Sequence, residues 1–573
     1  MPRLLPITLL SLTFAYLLPR HYPALLSPSP AITFLTVFLP LLLTSALYHV
    51  LLYPRFLSPL RYLPGPKPST LLLGEFPLIY RLPTGFPHIT WQKLPNDGLI
   101  RYLGLWNTER LFPTSIEMLK EILHTQADVF VKPNTLGGLS TILGKRGLFF
   151  AEGEEQKHYR RMLLPSFGVT HLRKLVPVFW DKAMEMVDCI IREAQIPTED
   201  ETVTDEEREK GRLVDISKWA SLATLDIIGT AGFGYDFNAL KNGEEANELS
   251  NAYAKLLKRD RAAMGWIMLM MLLPWWLAYW LPTESARTIR KSQKTFQRVS
   301  TQLIRERREK QLSNPQSKDS DIKDNDILSV MLRSGEFDTP SGEEIARDQI
   351  MTFLAAGHET TATALSWALH ALTLHPAHQS LLRTELYTLF PRGPPKALTH
   401  ADLTQLPKLR NFCLEVLRLY PPVPLTLRTA KRETILNGGV RVPKGTMVVV
   451  VPWALHRSTG LWGDDAGEFR PGRWEGYGQP GKECTINSWM LQTFISGPRS
   501  CIGEKFSLWE FMVLVTGVVG RVEVRERVEG VGRRLEEMGS IVEIQGGITG
   551  KPKDGRVWVK EVEWGSSRGE KEE

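Results

Sequence analysis

The chain of 573 residues has only four cysteines: Cys189, Cys413, Cys484 and Cys501. No two of them form a Cys-x-x-Cys pair. That excludes a zinc cluster of familiar spacing and a secreted disulfide framework, and it fits a reducing, cytosol-facing setting. Internal repeats and a clean linker inside the body are also missing. Charge of one sign is in short supply: 70 Lys and Arg against 63 Asp and Glu leave a formal net charge of +7. This permits a basic face for an acidic protein or a lipid surface and does not call for nucleic acid. Nor is there a G-x-G-x-x-G fingerprint between a strand and a helix, so the chain shows no dinucleotide module of its own. With 43% hydrophobic and 23% charged residues, what remains is an ordinary globular composition with a substantial core.

Charge is absent altogether from "ITFLTVFLPLLLTSALYHVLLY", Ile32 to Tyr53. As a helix this stretch would span roughly 33 Å against a hydrocarbon core of about 30 Å. Pro40 would kink it, which membrane helices tolerate. An earlier apolar run, Leu4 to Leu18, reads as a second span or an interfacial segment. Arg55, Arg61 and Lys67 follow the main span and place the main domain on the cytoplasmic side. The predicted organisation is a membrane anchor over 1–62 with its main span at 32–53, a stiff hinge "LPGPKPS" over 63–69, one large domain over 70–565 and a polar tail over 566–573. The prolines of the hinge fix φ and remove donors.

Within the body, helical periodicity predicts helices over Ser115–His124, Gly168–Arg192, Ser217–Gly229, Thr288–Lys310, Glu343–Thr373 and Leu406–Leu419. Strand-like pieces such as "TMVVVVP" and "GRVWVKEV" are short and come late. The expected fold is mainly α, with about a dozen helices and small β-sheets. A polar stretch, Gln311–Asn325, reads as a surface loop. The apolar tract Met264–Leu281, split by Pro274, reads as buried core or a membrane-dipping surface.

Four constellations carry chemistry. In "EVLR", Glu415 and Arg418 stand three apart on one helix face. "PPVPLTLR" then stops that helix and leads to Arg428. In "AAGHETT", Ala355–Thr361, an acid and threonines interrupt an apolar helix. Gly costs about 1 kcal/mol there and Thr can bond back to a carbonyl, so a locally opened helix with an acid and a hydroxyl is a candidate proton relay. "EFRPGRW", Glu468–Trp474, reads as an aromatic and basic loop. Last, Phe494, Gly497, Arg499, Cys501 and Gly503 form F-x-x-G-x-R-x-C-x-G, expected by chance in roughly one chain of this length in 10⁴. The glycines let the backbone turn around a flat group. Arg499 supplies a fixed charge for an acidic substituent. Cys501 is then an inert buried thiol, a nucleophile or a lone metal ligand.

Taken together and in this order, the motifs resemble a membrane-bound cytochrome P-450, a haem-thiolate monooxygenase of the microsomal eukaryotic type, and the overall style resembles fungal enzymes. The likeness runs from Pro64 to about Val559. It implies that Cys501 is the axial thiolate ligand of haem iron, a donor that favours O–O cleavage. Arg160, Arg428 and Arg499 would meet the haem propionates, and Phe494, Gly497 and Gly503 would shape the loop around the group. Glu415, Arg418 and Arg473 would pin the loop before the ligand. Glu359 and Thr360 would be the distal acid–alcohol pair that delivers protons. "GEEQKHYRRMLLPSF" resembles the family's propionate-binding helix, with Gln156 where Trp or His is usual, and Gly472 replaces an acid usual in the loop motif.

The activity so implied is insertion of oxygen from O₂ into a lipophilic small molecule, in secondary-metabolite chemistry of the terpenoid or polyketide kind. Phe353, Ala356, Val423 and Ile548 would be substrate contacts. About seventy residues follow Gly503, too few for a flavin domain, so electrons would come from NADPH through a separate flavoprotein reductase on the same endoplasmic reticulum membrane. Lys157, Arg161 and Lys505 would contribute to its docking face. Two other readings stand beside this one: a haem-thiolate isomerase or dehydratase without external electrons, and a non-catalytic haem-binding membrane protein.

Overall fold

The computed structural model describes residues 4–21, 30–133, 140, 143–195, 211–246, 248, 251–252, 275–313, 326–479, 484–525, 542–545, 549–553 and 555–565. The fold is mainly helical with small sheets. The expected substrate contact Ile548, the tail 566–573 and most of the apolar tract before Trp275 lie outside the described residues. Trp275–Trp280 of that tract is a short helix, and Trp280 stands 72% exposed.

At the N-terminus, α1 (Leu4–His21) packs along α2 (Pro30–Leu47). The latter runs on through a widened, π-helical stretch, Tyr48–Leu57. The continuous helix Ala31–Leu57 has 27 residues, and its most apolar stretch has a mean hydropathy of 2.0 and lies outside the protein core. At 1.5 Å per residue it reaches about 40 Å, enough to cross a bilayer. Among the described residues it is the one helix long and apolar enough to do so, and it is compatible with a membrane anchor.

Past the anchor the chain is docked. Asn107 donates through Nδ2 to the Val50 carbonyl at 2.7 Å and to that of Leu71 at 2.8 Å, and Arg101 donates to the Pro54 carbonyl. The segment 63–69 lies on the first strand: the Arg101 amide donates to the Pro64 carbonyl at 2.8 Å. A Cβ on Gly65 would stand 1.7 Å from the Arg101 carbonyl oxygen. Only glycine allows that approach.

The helices that build the site are α3 (Gly153–Leu163), α4 (Val169–Gln195), α5 (Ile216–Ile227), α6 (Glu284–Ser313), α7 (Pro340–Leu374), α8 (Pro407–Leu419) and α9 (Glu504–Arg521). Helices α4 to α8 answer to a periodicity in the sequence, α3 to the family likeness and α9 to no sequence reading, and the stretch Ser115–His124 folds as Ile116–Lys120 followed by a widened turn. Their ends follow local chemistry. Thr339 caps α7 by accepting from the Gly342 amide, Pro340 opens it, and it stops before Pro376. Helix α8 opens on Pro407 and stops before Pro421. Residues Glu510 to Gly520 of α9 are all buried, so this helix is central and apolar all round. It packs against α4, α7 and α8.

The main sheet has strands β1 (Leu99–Leu103), β2 (Glu109–Pro113), β3 (Phe130–Val131), β5 (Thr426–Ala430) and β6 (Met447–Val450), in the order β1-β2-β6-β5-β3. The β2–β6 pair is parallel and the others are antiparallel. A second sheet joins β4 (Arg212–Asp215), β10 (Arg556–Glu561) and β7 (Val522–Arg525), and a hairpin pairs β8 (Val542–Gln545) with β9 (Thr549–Pro552). Strand β9 lies on α7. One expectation is corrected: α7 is helical throughout its 35 residues and is not opened at Gly357. Gly357 serves packing, since a Cβ there would approach Ile228 to 3.0 Å.

Candidate functional site

Residues 493–503 form a loop that closes on itself. The Cys501 amide donates to the Phe494 carbonyl at 2.8 Å, and the Ser500 amide to that of Gly497 at 3.0 Å. Gly497 has φ +90°, and a Cβ there would lie 2.2 Å from the Leu123 carbonyl oxygen, so the turn and the close approach both require glycine. Gly503 is different. It caps α9 with φ −90°, and a Cβ would make ordinary contacts, 3.7 Å to Phe167 and 3.9 Å to the Cys501 sulfur. Ile502 and Gly503 do form the turn into α9, but its angles do not require glycine. Phe494 itself packs on the edge of the core.

Cys501 is accessible although protein surrounds it, so its sulfur faces space inside the domain. Burial pushes the thiol up to about 11, opposed by the Gly503 amide that donates to the sulfur and by the charge of Arg160. Arg160, on α3, donates to the Ser500 carbonyl at 2.7 Å and to the Ser500 hydroxyl at 3.1 Å. Gln156 donates to the Pro498 carbonyl at 3.2 Å and so braces the loop.

Beside the sulfur sits an excess of positive charge. Arg499 pairs with Glu152 and donates to the Ala127 carbonyl at 2.7 Å, while its buried Nε has no hydrogen-bond partner. Arg428, projecting from β5, is lowered to about 10 by burial and by Arg499. Lys132, which sequence reasoning missed, is lowered to about 8 by burial and by the charges of Arg428, Arg499 and Arg160, against the opposing pull of Glu152. Four cations thus converge, and Glu152 is the acid that answers them among the described residues. Such a cluster is costly in a dry interior without further anions.

Behind the loop stands a buried brace. Glu415 and Arg418 are fully buried and pair at 2.8 Å, and Arg473 joins Glu415 at 3.0 Å. The carboxylate also accepts from the Arg470 amide at 2.7 Å and from Trp474 Nε1 at 2.8 Å. Arg473 has a second acid in Asp465, at 3.3 Å. Two contacts tie this brace to the cysteine loop. Thr493 Oγ1 donates to the Leu417 carbonyl at 2.7 Å. His456 Nδ1 donates to the Arg418 carbonyl at 2.6 Å and its Nε2 accepts from the Gln492 amide at 2.8 Å. Both contacts require the neutral Nδ1–H tautomer.

Burial, with help from Arg418, lowers His456 to about 3. The unfolded value is about 6.5, so between about 6.5 and 3 the unfolded chain holds the extra proton and stability rises with pH. The stabilisation is complete above about 6.5 and drains away on acidification. Replacing His456 with Asn should remove one proton from the slope of unfolding free energy against pH, roughly 1.4 kcal/mol per pH unit below pH 6, read from urea titrations of detergent-solubilised protein.

Across the internal space, α7 contributes Ala356, which is exposed in the middle of an otherwise buried helix, and Thr360, whose hydroxyl donates to the Ala356 carbonyl at 2.7 Å. Phe353 is buried and stacked on Phe167 at 5.7 Å between centroids, so it belongs to packing beside the cysteine loop. Val423 is half-buried in the turn before β5. Glu359 is buried and pairs with Lys551 Nζ of β9 at 2.9 Å.

An enclosed, accessible cysteine on a glycine-turned loop, with a cationic cluster beside it, calls for comparison with known proteins. The family model described as Cytochrome P450 matches residues 64–548. The chain belongs to the cytochrome P450 family. Among its P450 relatives, the cytochrome P450 monooxygenase ALT8 of Alternaria alternata is 34% identical over 562 residues, covering 89% of this chain and 92% of the relative. The cytochrome P450 monooxygenase sphH of Aspergillus fumigatus is 36% identical over 534 residues, covering 91% and 92%. FUM15 of Gibberella moniliformis, also a cytochrome P450 monooxygenase, is 35% identical over 519 residues, covering 83% and 85%. This P450 is accordingly a monooxygenase, an oxidoreductase of the class that works with haem and O₂. The residues present fit that group: an accessible sulfur and an excess of cations over acid beside it suit an iron porphyrin carrying carboxylates.

Proposed function

We propose that this P450 binds haem b through Cys501 and uses it to oxidise a lipophilic small molecule with O₂ and with electrons that a separate NADPH-dependent flavoprotein reductase delivers. The observation that carries the assignment is the cluster of Lys132, Arg160, Arg428 and Arg499 around one acid beside the Cys501 sulfur. Haem bound there supplies one-electron and oxygen chemistry. Arg160, Arg428 and Arg499 would take its propionates, and Lys132 joins them. Gly497 holds the loop against Leu123, and the Gly503 amide donates to the sulfur and so moderates its electron donation.

One oxygen atom would end in the product and the other in water, consuming two electrons and two protons. Glu359 would supply those protons from its carboxyl and Thr360 from its hydroxyl, both on the helix that faces the sulfur. Ala356 and Val423 would line apolar space, which favours a lipophilic substrate of the terpenoid or polyketide class, in keeping with the fungal relatives. Residues 1–62 would hold the domain on the endoplasmic reticulum membrane with 70–565 in the cytosol, Arg55, Arg61 and Lys67 marking the cytosolic side. Lys157, Arg161 and Lys505 are exposed on α3 and α9, the two helices that flank the cysteine loop, and would offer the reductase a basic face.

The test is the carbon monoxide difference spectrum of reduced, membrane-expressed protein, followed by NADPH consumption with a P450 reductase. A strongly red-shifted Soret band with reductase-dependent NADPH oxidation is expected. A band at the position of histidine- or thiol-ligated haem would overturn the thiolate assignment. Haem without NADPH consumption would favour the isomerase, dehydratase or non-catalytic reading.

A further inference from the structure

Glu359 and Thr360 are neighbours in sequence, but adjacent positions on a helix point about 100° apart. The Thr360 hydroxyl turns back to the Ala356 carbonyl, beside the open space. The Glu359 carboxylate turns the other way, to β9. Its Oε1 meets Lys551 Nζ at 2.9 Å, both side chains being 8% exposed, and accepts from Thr549 Oγ1 at 3.4 Å. Strand β9 is fixed without this pair. The Gly550 amide donates to the Pro422 carbonyl at 3.0 Å, and the Gly550 carbonyl accepts from Trp367 Nε1 at 2.6 Å. Trp367 in turn stacks flat on Tyr420, 4.5 Å between centroids. The strand is thus clamped to α7 at Trp367 and to the turn after α8 at Pro422, and a buried ion pair is a poor source of added stability.

We propose that Lys551 is a positioning residue that parks the Glu359 carboxylate on β9, away from Thr360, and so restrains proton delivery to bound oxygen. The inference rests on the reading of Glu359 as the distal acid. Its chemistry balances simply. O₂ leaves as hydrogen peroxide after taking up two electrons and two protons from NADPH and solvent. It leaves as two waters after taking up four of each. A carboxylate free to deliver protons favours the water route.

The experiment uses full-length enzyme with a P450 reductase, NADPH and O₂ and no organic substrate, at matched haem content, and reads the share of consumed O₂ that appears as hydrogen peroxide. Lys551→Met should lower that share roughly threefold, the scale of a coupled side-chain pair. Lys551→Arg should restore it, Glu359→Gln should raise it, and the double variant Lys551→Met/Glu359→Gln should match Glu359→Gln alone. Melting of wild type, Lys551→Met, Glu359→Gln and the double variant, followed by circular dichroism, should show non-additive shifts, since these two single variants each break the pair. An unchanged or raised peroxide share in Lys551→Met overturns the proposal, as does a fall that persists in the double variant. Additive melting shifts would also overturn it, because the pair would then not exist in solution. If Glu359→Gln leaves the share unchanged, the assignment of Glu359 as proton donor fails instead.

Discussion

Replacing Cys501 with alanine should abolish the red-shifted carbon monoxide band and all NADPH-dependent turnover, while leaving the protein folded. The two halves of that expectation have separate causes. The loop's shape is held by backbone bonds and by groups other than the sulfur. The Cys501 amide donates to Phe494, Gln156 to Pro498, Arg160 to Ser500 and Arg499 to Ala127. Alanine keeps every one of them. The thiol side chain is accessible, so removing its sulfur opens no closed cavity, and the cost stays well below the roughly 2–5 kcal/mol of a core truncation. The metal contact, by contrast, has no substitute. The other cysteines are Cys189 and Cys413, both buried, and Cys484 on a different loop. Circular dichroism should therefore show a folded chain, and its melting temperature should match that of haem-free wild type, while the spectrum and turnover vanish. Collapse of the fold in Cys501→Ala would mean that the sulfur itself holds the loop. A surviving red-shifted band would mean that another group ligates the iron.

What could be read in the sequence was what local spacing determines. Glu415 and Arg418 stand one helical turn apart, whereas Arg473, 58 residues from Glu415, joins them only through the family likeness. The helices α4 to α8 follow from apolar periodicity and from Pro and Thr at their ends. The cysteine motif is contiguous. What stayed hidden depends on chain separation. Lys551 reaches Glu359 across 192 residues and from a strand with no periodic signal. Lys132 enters the cationic cluster from the end of a two-residue strand, and His456 bridges Arg418 and Gln492 by hydrogen bonds that no spacing announces. One expectation failed for a packing reason, and one glycine is not required by its turn. Gly357 serves the approach of Ile228 and does not open α7, and Gly503 adopts backbone angles open to any residue. Phe353, assigned to substrate by family position, is taken up by its stack on Phe167. The likeness to a family predicts which positions approach the pocket, whereas the rotamer that decides what a side chain touches is set by neighbours distant in sequence.

Glu415→Gln should be the most damaging single change to the fold, and its size follows from counting partners. One carboxylate faces two guanidinium groups, with Glu415 and Arg418 fully buried and Arg473 6% exposed. It accepts from Arg418 twice at 2.8 Å, from Arg473 at 3.0 Å, from the Arg470 amide at 2.7 Å and from Trp474 at 2.8 Å. Glutamine removes the charge and turns one acceptor into a donor. Arg418 then keeps only neutral partners, the carbonyls of His456, Ala466 and Glu468 and the one oxygen that glutamine retains. A buried charge left without its partner costs about 3–5 kcal/mol, a large part of the roughly 5–15 kcal/mol that holds a domain together. Arg473 is cushioned by Asp465, so the loss falls on Arg418. That residue's carbonyl receives His456, and His456 holds Gln492 at the base of the cysteine loop. Soluble yield and haem content per protein should therefore fall together. The comparison that isolates the charge is Trp474→Phe, which deletes one hydrogen bond to the same carboxylate, costs about 1–2 kcal/mol and should leave a folded protein with its haem. Equal damage from both variants would show that close packing around Trp474, and not the unpaired guanidinium, governs the stability of the brace.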